Sequence, residues 1–209
     1  MRTDDLIGLL AQDPRPEASV RSRVGRLLPL GLALSAAFLL SALGLRAGLM
    51  QAYAQPVVLA KFLCPLVFGA GALALALGSA RPEVRGTGRI LLLAAPVAAA
   101  LFLVGLMSTP AADWLVAIRG RTMAACLALI PLMSLAPLAA LIWALRGGAP
   151  ARPETTGLFA GLAAGGLATA IYALHCPEDN PLFYVLWYGC GITVAGLLGR
   201  MAGRRLLRW

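Results

Sequence analysis

The sequence predicts an all-α, polytopic membrane protein: a bundle of six transmembrane helices with both termini in the cytoplasm. Hydrophobic residues make up 60% of the 209 residues and charged residues only 13%. The apolar residues form runs of about 20, the length that a helix needs to cross about 30 Å of hydrocarbon. Basic residues gather at alternate ends of these runs. This layout leaves no room for a separate soluble domain.

Hydrophobic runs of suitable length define six expected spans. They are Leu27–Leu49, Val57–Ser79, Arg89–Met107, Thr122–Leu145, Thr155–Leu174 and Leu182–Gly199. We expect a cytoplasmic segment over residues 1–26, the transmembrane bundle over 27–199 and a basic cytoplasmic tail over 200–209. About 26 residues that include four acids precede the first span, which is long for the charged start of a signal peptide. We therefore expect that span to remain in the mature protein.

The formal charge of +9 is explained by topology rather than by nucleic-acid binding. Fourteen of the 18 basic residues lie in the N-terminal segment, the second and fourth connections and the C-terminal tail. The opposite ends carry only Arg46, Lys61, Arg119 and Arg121. By the positive-inside rule, both termini face the cytoplasm. We expect the lipid bilayer as a partner and no direct contact with nucleic acid.

The first 12 residues have the pattern of a short amphipathic helix. Thr3 is a suitable N-cap, and Asp4 and Asp5 suit the positive end of the helix dipole. Four apolar residues then fall on one face: Leu6, Ile7, Leu9 and Leu10. So short a helix is marginal in water, so its apolar face needs a surface to bind. The pattern fits either a helix that lies on the membrane or its own bundle, or one that docks into the groove of a partner protein.

The spans have the features of a packed bundle. Gly157, Gly161 and Gly165 recur every four residues, which allows a neighbouring helix to approach closely. Prolines at 96, 131 and 137 can kink the third and fourth spans. No Asp, Glu or His lies deep in a span, whereas ion-coupled transport usually needs a buried ionisable group. A small passive transporter or permease remains the alternative function.

Motifs for catalysis are missing from the sequence. It contains no Cys-x-x-Cys, no Gly-x-Ser-x-Gly and no His-Glu-x-x-His, and its one histidine lies at the end of a span. We therefore predict that the protein is not an enzyme and requires no cofactor.

Two of the four cysteines form a candidate pair. Cys126 and Cys176 are expected at similar depth near the outer ends of the fourth and fifth spans, on the oxidising side of the membrane. If these helices are neighbours, a disulfide is geometrically possible. Cys64 and Cys190 are interpreted as small, lipid-compatible residues without an assigned role.

The residues around Cys176 include several metal-ligand types. His175, Glu178 and Asp179 could join the thiolates of Cys126 and Cys176 in holding a soft or borderline ion. The spacing matches no known finger motif. The alternative is a solvated turn that ends one span and caps the next.

The chain as a whole resembles the NrsF-type membrane anti-sigma factors of proteobacteria, the negative regulators of sigma-F. The resemblance rests on the opening Met-Arg-Thr-Asp-Asp-Leu-Ile, the six-span layout, and the His175–Asp179 turn followed by Pro-Leu-Phe-Tyr. Also shared are the arginines at 119 and 121 shortly before Cys126. The most specific parts are the N-terminal seven residues and the turn.

This resemblance implies a function. The cytoplasmic N-terminal segment would hold an extracytoplasmic-function sigma factor at the membrane, with contact through the region from Thr3 to Leu10. Cys126 and Cys176 would be the pair that senses heavy metals or oxidants, with at most a transient heavy-metal ion as ligand. A reaction at the outer thiols would shift the bundle and release sigma.

Overall fold

The computed structural model is helical throughout the part that it describes, residues 3, 8, 19–80 and 89–208, which contains no β-strand. The α-helices are α1 Val20–Phe38, α2 Leu49–Tyr53, α3 Pro56–Ser79, α4 Arg89–Leu92, α5 Ala94–Ser108, α6 Trp114–Arg119, α7 Met123–Leu145, α8 Pro153–Tyr172 and α9 Pro181–Leu206. A π-helical turn, Leu39–Leu43, continues α1, and a 3-10 turn, Ala111–Asp113, precedes α6.

Five of these helices are long and apolar enough to cross a membrane: α1 with its π-helical turn, α3, α7, α8 and α9. A sixth span is present if α5 and the 111–119 segment, which meet at a bend of 117°, count as one. The expected third span is broken at Leu93. Pro96 has no N–H to donate to the carbonyl of Leu92, four residues earlier, and its ring clashes with that carbonyl. The all-helical bundle is thus confirmed, with five or six candidate spans.

The ends of the first and last spans differ from the prediction. The first helix begins at Val20, ahead of the expected membrane span, where the Ser19 side chain accepts a hydrogen bond from Ser22 N and caps it. It ends before Gly44, whose φ of 74° favours glycine. The last helix continues past Gly199 to Leu206, so the basic tail begins as helix.

Helix α8 lies at the centre of the bundle, and small residues allow this position. A Cβ atom added to Gly161 would lie 2.9 Å from the Cα atoms of Gly196 and Gly199 on α9. On another face, a Cβ atom on Gly166 would lie 2.8 Å from the Cα atom of Gly69 on α3. The glycine repeat therefore does permit close helix approach, as predicted, and α9 is the neighbour.

Helix α1 crosses α7 at a proline. Gly31 leaves room for Pro137, since a Cβ atom there would lie 2.7 Å from the proline Cα. Pro137 cannot donate a backbone hydrogen bond to the carbonyl of Met133, four residues earlier. The Ser35 hydroxyl of α1 donates to that carbonyl instead, at 2.7 Å. This contact fixes the first span against the fourth.

The two ends of the bundle differ in chemistry. At one end, the basic end, Ala149 N donates to Ala80 O, Thr156 Oγ1 donates to Ser79 O, and Arg200 pairs with Glu154. The chain enters α1 at this end. At the other, the cysteine end, the turn over residues 173–180 meets the segments that contain Arg46, Lys61 and Arg121.

Candidate functional site

The turn between α8 and α9 is built by its own sequence. Helix α8 ends at Tyr172, and the amides of His175 and Cys176 still donate to the Tyr172 carbonyl. Pro177 cannot continue the pattern. Asn180 then caps α9, since its side-chain oxygen accepts from Leu182 N at 2.9 Å. The polar residues of the turn are therefore held at the junction of two helices.

The structure brings Cys126 and Cys176 together. Cys126 lies in the first turn of α7 and Cys176 in the turn after α8, and both residues are 0% exposed. Their thiols interact with each other. The Cys126 sulfur is also 3.5 Å from the Tyr172 hydroxyl. The pair predicted from the sequence is thus a buried dithiol with a tyrosine beside it.

A carboxylate in the turn links it to one other helix and to the segment that follows the first span. Asp179 accepts two hydrogen bonds from Arg46, at 2.6 and 2.9 Å, and one from Lys61, at 3.1 Å. Arg46 follows the first span and Lys61 lies in α3. Paired hydrogen bonds of this fork type are among the strongest side-chain contacts. We call these three residues the Asp179 clamp.

Lys61 is completely buried, with an exposure of 0%. Besides Asp179, its ammonium group donates to the carbonyl oxygens of Cys176, at 2.6 Å, and Glu178, at 2.8 Å. All three N–H groups of the ammonium therefore have acceptors, and all acceptors lie in the turn. A buried cation is tolerated only with such compensation.

These contacts change the acidity of the groups in the turn. The hydrogen bond with Cys126 lowers the pKa of the Cys176 thiol, the charge of Lys61 acts in the same direction, and together they outweigh the effect of burial. Burial raises the pKa of the Asp179 carboxyl, but the bonds from Arg46 and Lys61 outweigh it, so the pKa lies below 3.8. The hydrogen bond to Asp179 raises the pKa of Arg46. The turn thus favours a Cys176 thiolate and an ionised clamp.

Further hydrogen bonds attach the turn to the rest of the cysteine end. His175 Nδ1 donates to Gly44 O at 3.0 Å, and Arg46 N donates to Leu174 O at 3.1 Å. The Glu178 carboxylate accepts from Arg121 N at 2.8 Å. The Asn180 amide donates to Thr109 Oγ1 at 3.0 Å. The turn therefore contacts the segments that follow the first span and precede the fourth.

The predicted metal-ligand set is not assembled in this arrangement. Within residues 19–80 and 89–208, no three His, Cys, Asp or Glu side chains are placed to hold an ion. His175, Glu178 and Asp179 point to Gly44, Arg121 and the clamp, because each finds a backbone or cationic partner there. The two sulfurs of Cys126 and Cys176 remain together. Metal binding at the pair stays a prediction.

The remaining predicted residues are spread over the chain. Thr3 is helical and exposed, while Asp4, Asp5, Leu6, Ile7, Leu9 and Leu10 lie outside the described residues. Cys64 and Cys190 are partly exposed on α3 and α9 and are not part of the dithiol.

The sequence analysis missed the clamp. Lys61 and Arg46 were counted only as basic residues at span ends. A signal was present: Lys61 is the only lysine of the chain and lies within an apolar run. An ionisable residue inside a membrane helix marks a functional or structural site and needs a partner.

The chemistry open to this site follows from its sulfurs. Two adjacent thiols can be oxidised to a disulfide or can bind a soft metal ion through sulfur. A thiolate is the reactive form in both cases, and the turn favours it at Cys176.

Comparison with known proteins connects this arrangement to a family. The family model described as NrsF, negative regulator of sigma F, matches residues 10–209. A protein of Caulobacter vibrioides named anti-sigma-F factor NrsF is 37% identical over 217 aligned residues, which cover 100% of both chains. A probable anti-sigma-F factor NrsF of Azospira oryzae is 38% identical over 90 residues, 43% of this chain and 42% of its own. No solved structure matches the chain. The chain therefore belongs to the NrsF family of negative regulators of sigma F.

Proposed function

We propose that this protein is a membrane-bound anti-sigma factor of the bacterial inner membrane. Its cytoplasmic N-terminal segment binds an extracytoplasmic-function sigma factor and keeps it from RNA polymerase. Reaction of Cys126 and Cys176 with a heavy metal or an oxidant on the outer side weakens this binding and releases sigma. The family and the printed name of the Caulobacter relative support the anti-sigma part.

One observation supports the sensing part most directly: the dithiol and the start of α1, which the N-terminal segment precedes in the chain, lie at opposite ends of the same bundle. The chain enters α1 at the basic end, and α1 with its π-helical turn covers 24 residues, about 36 Å of helix. At the cysteine end, this same span continues into Gly44 and Arg46. These two residues bind the turn over residues 173–180, which we call the thiol turn. A change at Cys176 is therefore connected to the start of the first span by one helix.

The free energy required for this coupling is modest. An allosteric coupling of about 1–3 kcal/mol changes affinity 5- to 150-fold. A disulfide between Cys126 and Cys176 would close a loop of about 50 residues, nominally worth about 4 kcal/mol in the chain-entropy model. Two thiolates could alternatively hold one soft ion such as Cd²⁺. Either product would replace the hydrogen bond between the thiols by stronger bonds and displace the turn.

The positive-inside distribution of arginine supports the orientation. With both termini in the cytoplasm, residues 1–19 can reach a cytoplasmic sigma factor, and the turn faces the oxidising side. In the reverse orientation neither part could perform the proposed role. Labelling of single cysteines from each side of spheroplast membranes tests this orientation.

Co-purification with the sigma factor tests the proposal. The intact chain in detergent should retain sigma, and a Leu6→Asp, Leu9→Asp double variant should lose it, because the apolar face would carry two charges. Gln12→Asp changes the charge of the same segment without altering that face and serves as the control. Retention of sigma by the double variant would contradict the proposal.

The sensing step is tested on the same preparations. Cd²⁺ or diamide should release sigma from the intact chain but not from a Cys126→Ser variant. Cys190→Ser, which removes a cysteine outside the dithiol, should respond like the intact chain. Solute flux in proteoliposomes that survives deletion of residues 1–12 would instead favour a passive carrier.

A further inference from the structure

An apolar cavity of about 700 Å³ lies between α3, α5 and α9, and two of its lining residues contact the turn that contains Cys176. Helix α5 packs mainly on α9 and stands away from α3, which leaves this space. Val67 of α3 and Val97 of α5 border it and are 69% and 49% exposed, although both lie in the membrane-spanning part. The cavity therefore opens sideways, toward the lipid.

Two residues border both the cavity and the thiol turn. Lys61 lines the cavity and holds the Cys176 carbonyl. Tyr188 lines the cavity, is 2% exposed and interacts with the Cys176 thiol. Its hydroxyl forms no hydrogen bond of good geometry within residues 19–80 and 89–208. The Cys176 sulfur is a weak acceptor, so a carbonyl oxygen on a bound molecule would satisfy this buried hydroxyl better.

The burial of the dithiol determines which reagents can reach it. Cys126 and Cys176 are both 0% exposed, so a reagent dissolved in water reaches either sulfur only when the turn opens locally. The cavity admits an uncharged molecule dissolved in the lipid to the residues that contact the turn. Such a molecule would reach Tyr188 and Lys61 first.

We propose that this cavity binds a membrane quinone, which oxidises Cys126 and Cys176. The inference rests on the proposed role of the two cysteines as the sensor. A quinone combines an apolar tail, which suits the apolar walls, with ring carbonyls that can accept a hydrogen bond from Tyr188. A lipid acyl chain would also suit the walls, but it offers no acceptor for the hydroxyl and no oxidant for the thiols.

The redox step balances with these components alone. The S–H bonds of Cys126 and Cys176 break and one S–S bond forms. The two electrons and two protons pass to the two carbonyl oxygens of the quinone, which leaves as the hydroquinone. The sensor would therefore respond to the oxidation state of the membrane quinone pool, without entry of an oxidant from the water phase.

Binding is tested through Cys64, which lines the cavity wall. In a Cys126→Ser, Cys176→Ser, Cys190→Ser variant of the full chain in proteoliposomes, Cys64 is the remaining thiol. Duroquinone is fully substituted and cannot arylate it. At a duroquinone concentration ten times its Kd, alkylation of Cys64 by N-ethylmaleimide should slow about tenfold, because only the unliganded fraction reacts.

The matched control retains Cys190, on α9 but outside the cavity lining, as the only cysteine. Its alkylation should be unaffected by duroquinone. Equal effects on Cys64 and Cys190, or none on Cys64, would overturn the inference. If bilayer lipid alone slows the alkylation of Cys64 and duroquinone slows it no further, the cavity holds an acyl chain instead.

The oxidation step is tested by filling the cavity. A Cβ atom added to Gly189, which lines the cavity, meets nothing within 4 Å, so Gly189→Phe can place a ring there. We expect duroquinone to form the disulfide about tenfold more slowly in this variant, as for a loss of about 1.4 kcal/mol of binding free energy. Thr193→Phe, also in the lining, provides a second test.

Gly25→Phe is the matched control for this substitution. A Cβ atom there also meets nothing within 4 Å, and Gly25 lies on α1, outside the cavity lining. Oxidation at the normal rate in both Gly189→Phe and Thr193→Phe would overturn the inference. Cd²⁺-triggered release of sigma, measured on the same samples, separates this outcome from a failure of the proposed function.

Discussion

The Lys61 ammonium donates a 2.6 Å hydrogen bond to the carbonyl oxygen of Cys176, from a side chain that is 0% exposed. This contact joins the second span to the residue proposed to react. The same ammonium holds Asp179, which also pairs with Arg46. The only lysine of the chain therefore anchors the thiol turn to the second span.

Removal of the Lys61 charge should destabilise the protein. Lys61→Met retains an apolar stem of similar length but leaves the Glu178 carbonyl oxygen without a donor, while Arg46 still reaches the Cys176 carbonyl and Asp179. A buried acceptor left without its donor costs about 1–3 kcal/mol, so we expect a loss of that size. The free energy of unfolding in mixed detergent and denaturant measures the loss.

Arg200→Met is the control for this prediction. Arg200 pairs with Glu154 at the basic end, but both side chains are largely exposed, at 57% and 41%. Exposed pairs contribute about 0–1 kcal/mol, so this variant should be nearly as stable as the parent. Equal losses of unfolding free energy in the two variants would contradict the role of Lys61 as the anchor of the thiol turn.

The reactivity of Cys176 should extend to lower pH than that of an ordinary thiol. The Cys126 thiol and the Lys61 charge lower the pKa of Cys176, and the reactive thiolate is present above that pKa. In a Cys64→Ser, Cys190→Ser background, the rate of reaction with a small methanethiosulfonate should have its midpoint below about 8.5, the ordinary value.

Variants identify the causes of this shift. Cys126→Ser should move the midpoint of the Cys176 rate profile upward most, and Lys61→Met should move it upward less. Arg200→Met should leave the profile unchanged, since Arg200 lies at the opposite end of the bundle. An unchanged midpoint in Cys126→Ser would show that the thiols do not interact.

The contribution of Asp179 to the free energy of unfolding should fall as the pH is lowered. Its pKa in the folded protein lies below the ordinary 3.8, because Arg46 and Lys61 outweigh the effect of burial. The stabilisation is therefore complete above the ordinary pKa and is lost as the pH falls through the lower, folded value. The difference in unfolding free energy between the parent and Asp179→Asn should be constant from pH 7 to about 5 and shrink below about 4. A difference that instead grows on acidification would contradict this assignment.

The seam between α8 and α9 should not tolerate a larger residue. In Gly161→Val the added Cβ atom would lie 2.9 Å from the backbone of Gly199, which cannot move without separating the helices. Overpacking of this kind costs about 1–3 kcal/mol or more. Thermal unfolding in detergent measures it. Gly25→Val, where the added atom meets nothing within 4 Å, should change the stability little.

Much of the bundle could be predicted from local patterns. Long apolar runs and prolines are local properties, so the predicted spans are close to the observed helices, and the glycine repeat correctly indicated a close helix neighbour. The ends of the first and last spans were less accurate. The end of the first depends on a single residue, Gly44, whose effect competes with continued hydrophobicity.

The site was only partly predictable. Cys126 and Cys176 could be paired, because the depth of a residue in the membrane follows from its position along the predicted span. The directions of His175 and Glu178 could not be predicted. They depend on carbonyl and amide groups of Gly44 and Arg121, which are far away in the sequence.

The sequence by itself determined that the protein is a helical membrane bundle with basic residues at one end and cysteines at the other, because hydrophobicity and charge act along the chain. Only the tertiary structure decided that Lys61 and Arg46 meet at Asp179 and that a cavity lies beside the dithiol. The physical reason is that a buried charge must find partners in three dimensions, and these come from distant parts of the chain that only packing brings together.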